Sequence, residues 1–138
     1  MNKILLIITG SIAASKCKEI ITLLNINEVK ISCILTNEAK KYVKILDIKK
    51  LLKNRIFTDE HEKKNKMLHI NLSRDNDIIV MCPATANSIA KFANGYGDNL
   101  ASNTLLASNK KILFVPAMNS FMWHNKICLL YTSPSPRD

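Results

Sequence analysis

Glycine is scarce in this chain. Only Gly10, Gly95 and Gly97 occur among 138 residues, so the G-x-G-x-x-G fingerprint of dinucleotide-binding folds is absent and a cargo with two phosphates is not expected. Equally absent is an apolar run of the roughly 18 residues needed to span a bilayer, although 47% of the residues are hydrophobic. The opening MNKILLIITG carries one lysine, a short apolar stretch and no small-residue cleavage site, unlike a secretory leader. A soluble, cytoplasmic protein without a membrane partner is the expectation. Cys17, Cys33, Cys82 and Cys128 show no C-x-x-C or metal-like pairing, so they read as buried reduced thiols and no metal site is expected. A stripe of positive charge is missing too. The net charge is +9, but the lysines are spread along the chain and interleaved with Asp47, Glu60 and Glu62, which argues against a nucleic-acid partner.

What is present is an alternation of buried-strand and amphipathic-helix patterns in a chain of single-domain length. Residues 3–9 form a near-continuous apolar run ending in Gly10-Ser11. A helix comes next by pattern, because Ala13, Cys17, Ile20, Ile21 and Leu24 share one face. A strand, a Gly-Ser turn and a helix present backbone N–H groups and the positive helix end to an anion. The same turn is equally explained by a tight bend at Gly10 and a cap at Ser11. Residues 28–36 read as a second strand ending at Thr36-Asn37, beside the Gly10 turn, with Thr36 also able to cap the helix expected after it. Short helices are expected over 37–43 and 47–54, and a charged surface loop over 55–65 containing a solvated His61. Such alternation implies a parallel sheet with right-handed crossovers.

Residues 77–100 carry the densest signal. Ile78, Ile79, Val80 and Met81 read as a strand covered on both faces. Pro83 is expected to end its ladder. Thr85, Asn87 and Ser88 open a helical pattern containing Ile89, Phe92 and Ala93, so one of the three is the expected N-cap. In open α/β sheets such a strand-to-helix loop is where ligands bind. His69 stands just before this strand, in the wall that carries the loop, and is able to move a proton near neutral pH. A helix over 101–108 and a strand over 110–115 complete the pattern, and the strand ends in Pro116-Ala117-Met118-Asn119-Ser120-Phe121-Met122-Trp123. Two strands thus each end in a proline and a small residue with an asparagine soon after. Trp123 and the methionines are also ordinary core formers.

Taken together, Gly10-Ser11-Ile12-Ala13, His69, Pro83-Ala84-Thr85-Ala86-Asn87-Ser88 and the 116–123 segment resemble the flavin-containing cysteine decarboxylases. The resemblance covers residues 1–125 in order, and 116–123 fits the family pattern P-x-M-N-x-x-M-W at every fixed position. Within the family it is nearest to enzymes of coenzyme A biosynthesis that act on 4'-phosphopantothenoylcysteine.

The resemblance implies a three-layer α/β/α, flavodoxin-like fold with a parallel sheet that binds FMN at a subunit interface in trimers or dodecamers. By position, Gly10, Ser11 and Ile12 would line the FMN phosphate turn with Thr36 nearby. Thr85, Ala86, Asn87, Ser88 and Ala117 would contact the flavin. His69 would be the active-site base, and Asn119 with Met118 would bind the substrate. The implied reaction is oxidative decarboxylation of the cysteinyl end, with later return of the electrons to give 4'-phosphopantetheine. No side chain here can accept the electron pair that decarboxylation releases, so a cofactor must. Residues 126–138, rich in Ser and Pro, depart from the family pattern and are expected to be a disordered or foreign tail. Related chains carry a substrate clamp in that region, so two alternatives stay open: a peptidyl-cysteine decarboxylase, and a non-catalytic regulatory subunit of the same fold.

Overall fold

The computed structural model describes residues 2–116. Five parallel strands form one sheet: β1 (Lys3–Ile8), β2 (Lys30–Leu35), β3 (Ile56–Phe57), β4 (Ile78–Ala84) and β5 (Lys111–Pro116). Their spatial order is β3-β2-β1-β4-β5. β1 is central, with Leu6 opposite Cys33 on one side and Val80 on the other. This position explains its sequence. A strand flanked by parallel neighbours and covered on both faces must be apolar throughout, and Leu5, Leu6, Ile7 and Ile8 are all buried.

The alternation of side chains along β1 divides the core in two. Leu6 and Ile8 join Cys17 and Ile21 of α1 (Cys17–Ile26) and Ile48 and Leu52 of α2 (Ile45–Leu52). Leu5 and Ile7 face Leu72 of α4 (Leu68–Asp75), Ile89 of α5 (Ala86–Ala93) and Leu100 and Leu105 of α6 (Leu100–Ala107). Each such Leu or Ile contributes about 1.5–3 kcal/mol of transfer free energy. The three-layer α/β/α, flavodoxin-like arrangement implied by the resemblance is the arrangement found.

Several local expectations need correction. Residues 37–43 form only one 3-10 turn, Ala39–Lys41, too short a stretch to bury a helical face. The expected loop over 55–65 contains β3 and a short helix α3 (Asp59–Lys64). His61 is not a solvated loop histidine. Its Nδ1 accepts from the Thr58 backbone N–H at 3.0 Å and completes a capping box at the start of α3, while its ring meets Phe57 edge-on at 5.8 Å. Pro83 does not end its strand. β4 continues to Ala84 because its pairing with β5 slips between Met81 and Ala84, where the missing proline N–H is tolerated. No helix among the described residues is long and apolar enough to cross a membrane.

Candidate functional site

The carboxyl ends of β1, β2 and β4 surround one cavity of about 400 Å³. Its walls come from three turns. The first contributes Thr9 and Gly10 after β1, the second Thr36, Asn37 and Glu38 after β2, and the third Thr85, Asn87 and Ser88 after β4. Met81, Ala101 and Leu105 add an apolar side. Five residues singled out in the sequence, Gly10, Thr36, Thr85, Asn87 and Ser88, are therefore brought together although they come from three separate segments. The topology does this, since parallel strands deliver all their carboxyl ends to one edge.

Each turn is held by a specific bond. Thr9 Oγ1 donates to the Pro83 carbonyl, tying the end of β1 to the end of β4. Gly10 lies so close to the second turn that a Cβ there would stand 2.4 Å from Glu38 Cβ. Thr36 is buried, donates its hydroxyl to the Ile8 carbonyl at 3.1 Å and accepts from the Ala39 N–H at 3.3 Å. Its side chain thus already performs the capping role expected of it and, beyond that, ties the end of β2 to β1. Thr85 is the N-cap of α5: its Oγ1 accepts from the Ser88 N–H at 3.1 Å and lies 2.8 Å from Ser88 Oγ. Ser11 caps the 3-10 turn Ile12–Lys16, accepting from the Ala13 N–H at 3.2 Å. Ser11, Ile12 and Ala86 do not line the cavity, and Ile12 is 78% exposed.

The far wall was not foreseen. Asn99 caps α6, through a reciprocal pair of bonds with Ser102. Asp98 meets Lys91 Nζ at 3.0 Å, and that hydrogen bond holds its carboxyl below the usual carboxylate range. Asp59 of α3 lines the cavity and accepts from the Leu100 N–H at 3.0 Å. These residues carry no motif in the sequence, and Asp59 reaches the wall only through the meeting of α3 with α6. A ring with an amphipathic edge suits such a cavity: hydroxyls and amides stand on one side and Met81, Ala101 and Leu105 on the other.

His69 is not among the residues lining this cavity. It sits in the first turn of α4, with Nδ1 3.6 Å from Glu62 Oε2. Cys82, behind the third turn, is paired with Cys17, whose Sγ donates to the Cys82 carbonyl at 3.2 Å. The interaction with Cys17 lowers the Cys82 thiol to about 7, while the same interaction and then burial push Cys17 up. Burial alone pushes Cys33 up. No group of three or more metal-ligating side chains occurs among the described residues. Ala117, Met118 and Asn119 lie outside them, as do Trp123 and Cys128.

A parallel α/β/α sheet with its cavity across the carboxyl ends of the central strands defines a protein that binds a small ligand at a switch point between its two half-sheets. The chain belongs to the Flavoprotein family, whose model matches residues 1–131. It is 33% identical over 126 residues to the coenzyme A biosynthesis bifunctional protein CoaBC of Vibrio cholerae serotype O1, a match covering 90% of this chain and 32% of that protein. The chain thus spans about a third of the length of the bifunctional relatives it matches. It is also 33% identical over 130 residues to a probable phosphopantothenoylcysteine decarboxylase of Streptococcus mutans serotype c, covering 91% of this chain and 73% of that one. Among solved structures, a mutant PPC decarboxylase complexed with pantothenoylaminoethenethiol superposes with a TM-score of 0.81 at 29% identity, over 94% of this chain and 76% of the other.

Proposed function

We propose that this chain binds FMN and catalyses decarboxylation of 4'-phosphopantothenoylcysteine to 4'-phosphopantetheine. The observation that carries the reading is the convergence of Gly10, Thr36, Thr85, Asn87 and Ser88 on one cavity, in a chain similar over nearly its whole length to a probable decarboxylase of that substrate. The cavity fits the cofactor by the chemistry of its walls. Thr85, Asn87 and Ser88 offer hydroxyls and an amide to a ring edge, and Met81, Ala101 and Leu105 offer an apolar surface to a ring face. Asp59 and Asp98 are already engaged by donors, which softens their repulsion of a phosphate. Gly10, Ser11 and Ile12 are assigned to the phosphate turn, with Ala86 and Ala117 beside the ring.

FMN, when bound, supplies the electron sink that decarboxylation of a cysteinyl carboxylate requires. The remaining work falls to side chains. Asn119, with Met118, is assigned to orient the departing carboxylate: a neutral amide positions it without the strong ground-state stabilisation a fixed cation would give. His69 is assigned to move the proton at its Nε2. Because His69 does not line the cavity of its own chain, the reading includes a trimer, or a dodecamer built from four trimers, in which a contact between copies completes the site. The flavoprotein domain is taken as residues 1–125.

Absorption spectroscopy tests the cofactor first. A yellow preparation, or one that turns yellow and quenches FMN fluorescence on titration, is expected; a colourless protein that takes up no FMN refutes the reading. The loaded protein should release carbon dioxide from phosphopantothenoylcysteine. Turnover only of a peptide ending in cysteine would replace the substrate assignment, and flavin binding without either activity would leave a regulatory subunit. His69→Asn should keep FMN and lose turnover, whereas full activity would remove His69 from the mechanism.

A further inference from the structure

Away from the cavity, α3, α4 and α6 bring together three side chains whose arrangement the proposed reaction does not explain. The Nδ1 atom of His69 is fully buried and has no hydrogen-bond partner among the described residues. The group opposite it is the Glu62 carboxylate of α3, whose Oε2 stands 3.6 Å away, with the two side chains only 26% and 21% exposed. That same oxygen accepts from Asn103 Nδ2 of α6 at 3.2 Å. Asn103 in turn packs over Gly97, where a Cβ would come within 2.5 Å of Asn103 Oδ1. Gly97 therefore matters for the room it leaves: any side chain there would push the amide off the carboxylate.

From this arrangement we infer that Glu62 is a positioning residue for His69, selecting the tautomer in which Nδ1 carries the proton and Nε2 is left as the acceptor. The inference rests on the assignment of His69 as the base. A buried ring nitrogen without a partner is costly. An ionised carboxylate can only accept. The one tautomer that satisfies both groups has Nδ1–H directed at Glu62, and the lone pair of Nε2 then faces away from the α3–α6 side. A separation of 3.6 Å is beyond a hydrogen bond, but a small rotation of either side chain closes it, and contacts of this kind commonly tighten when substrate arrives. Asn103 holds the carboxylate from the opposite side, so it cannot turn away to solvent without losing that bond.

An ordinary tie between α3 and α4 would look similar in outline. It would, however, make no demand on the ring tautomer. The test is 15N NMR of the histidine ring in the full chain with the imidazole neutral, in the parent, Glu62→Gln and Asn103→Ala. Nδ1–H is expected in the parent and a shift toward Nε2–H or a mixture in Glu62→Gln, with Asn103→Ala between them. In the FMN-loaded protein, Glu62→Gln should lower kcat by about tenfold or more, the order seen when the outer partner of a functional histidine is lost, with KM and FMN affinity unchanged. A parent already in the Nε2–H tautomer, or a tautomer identical in parent and Glu62→Gln, overturns the inference. Because the NMR readout needs no substrate, an inactive parent would strike the proposed reaction and leave the role of Glu62 standing. If Glu62→Gln fails to fold, Gly97→Ala probes the same linkage from the far end and should shift the tautomer in the same direction.

Discussion

Replacing Gly10 by alanine puts the shape of the cavity to a direct test. The added Cβ would stand 2.4 Å from Glu38 Cβ, 3.0 Å from the Glu38 carbonyl carbon and 3.2 Å from its oxygen. Carbon atoms pack best at about 3.5–4.0 Å, so the second turn must retreat by about 1 Å. Two of the three atoms are backbone, and a rotamer change cannot relieve them. Overpacking of this kind costs about 1–3 kcal/mol. Because Gly10, Thr36 and Glu38 are all walls of the cavity, the retreat also reshapes the ligand site, and FMN affinity should fall about tenfold, equivalent to about 1.4 kcal/mol. Urea unfolding followed by circular dichroism and FMN fluorescence quenching read the two effects separately. Glu38→Gly in the Gly10→Ala background removes the nearest atom and should restore part of both, while Glu38→Ala, which keeps the Cβ, should restore nothing. A Gly10→Ala protein with the parent's urea midpoint, or equal rescue by the two Glu38 variants, would refute the steric account.

Three further outcomes are expected. Thr85→Ala removes the N-cap of α5 and should cost about 1 kcal/mol in urea unfolding, with Thr85→Ser close to the parent; equal losses in both would deny the hydroxyl its capping role. Asp98→Asn should cost about 0.2–1 kcal/mol at pH 7, the screened range for an exposed pair. Since the hydrogen bond from Lys91 lowers the folded-state value of Asp98, its contribution is present above the ordinary carboxylate value of about 3.9 and is lost as pH falls through the lowered one. The gap between variant and parent should therefore close in strong acid, and a gap of constant size would exclude the ion pair as its cause. In a Cys128→Ser background, iodoacetamide should label Cys82 first, with a rate rising through pH of about 7, and leave Cys17 and Cys33 unmodified until unfolding; peptide mass spectrometry showing Cys33 labelled as fast would contradict its burial.

The sheet was legible because its strands are apolar for a reason that can be read locally. β1 has Leu5, Leu6, Ile7 and Ile8 buried on both faces, and no amphipathic helix produces such a run. The loops after β1, β2 and β4 were legible as well, since Gly10, Thr36 and Thr85 announce turns and caps by residue type. The segment from 55 to 65 was not. Its two-residue strand β3 is too short to show a period, and α3 exists because a capping box and packing against α4 compensate for a polar sequence. The far wall of the cavity was hidden for a related reason. Asp59 reaches the far wall only after α3 has docked on α6, and the bond from the Leu100 N–H to Asp59 joins positions that nothing in the linear pattern connects.

The placement of β1 at the centre of the sheet has a consequence for how the molecule opens. The three turns on the near side of the cavity are each the end of a different core strand, so that side of the site cannot loosen piecemeal while the sheet stays intact. Ligand bound there is linked to global unfolding, raising stability by RT ln(1 + [L]/Kd). Amide hydrogens in β1, β2 and β4 should accordingly slow together when FMN is added, by one common factor, while those of the exposed face of α2, which contributes nothing to the cavity, exchange at a rate of their own.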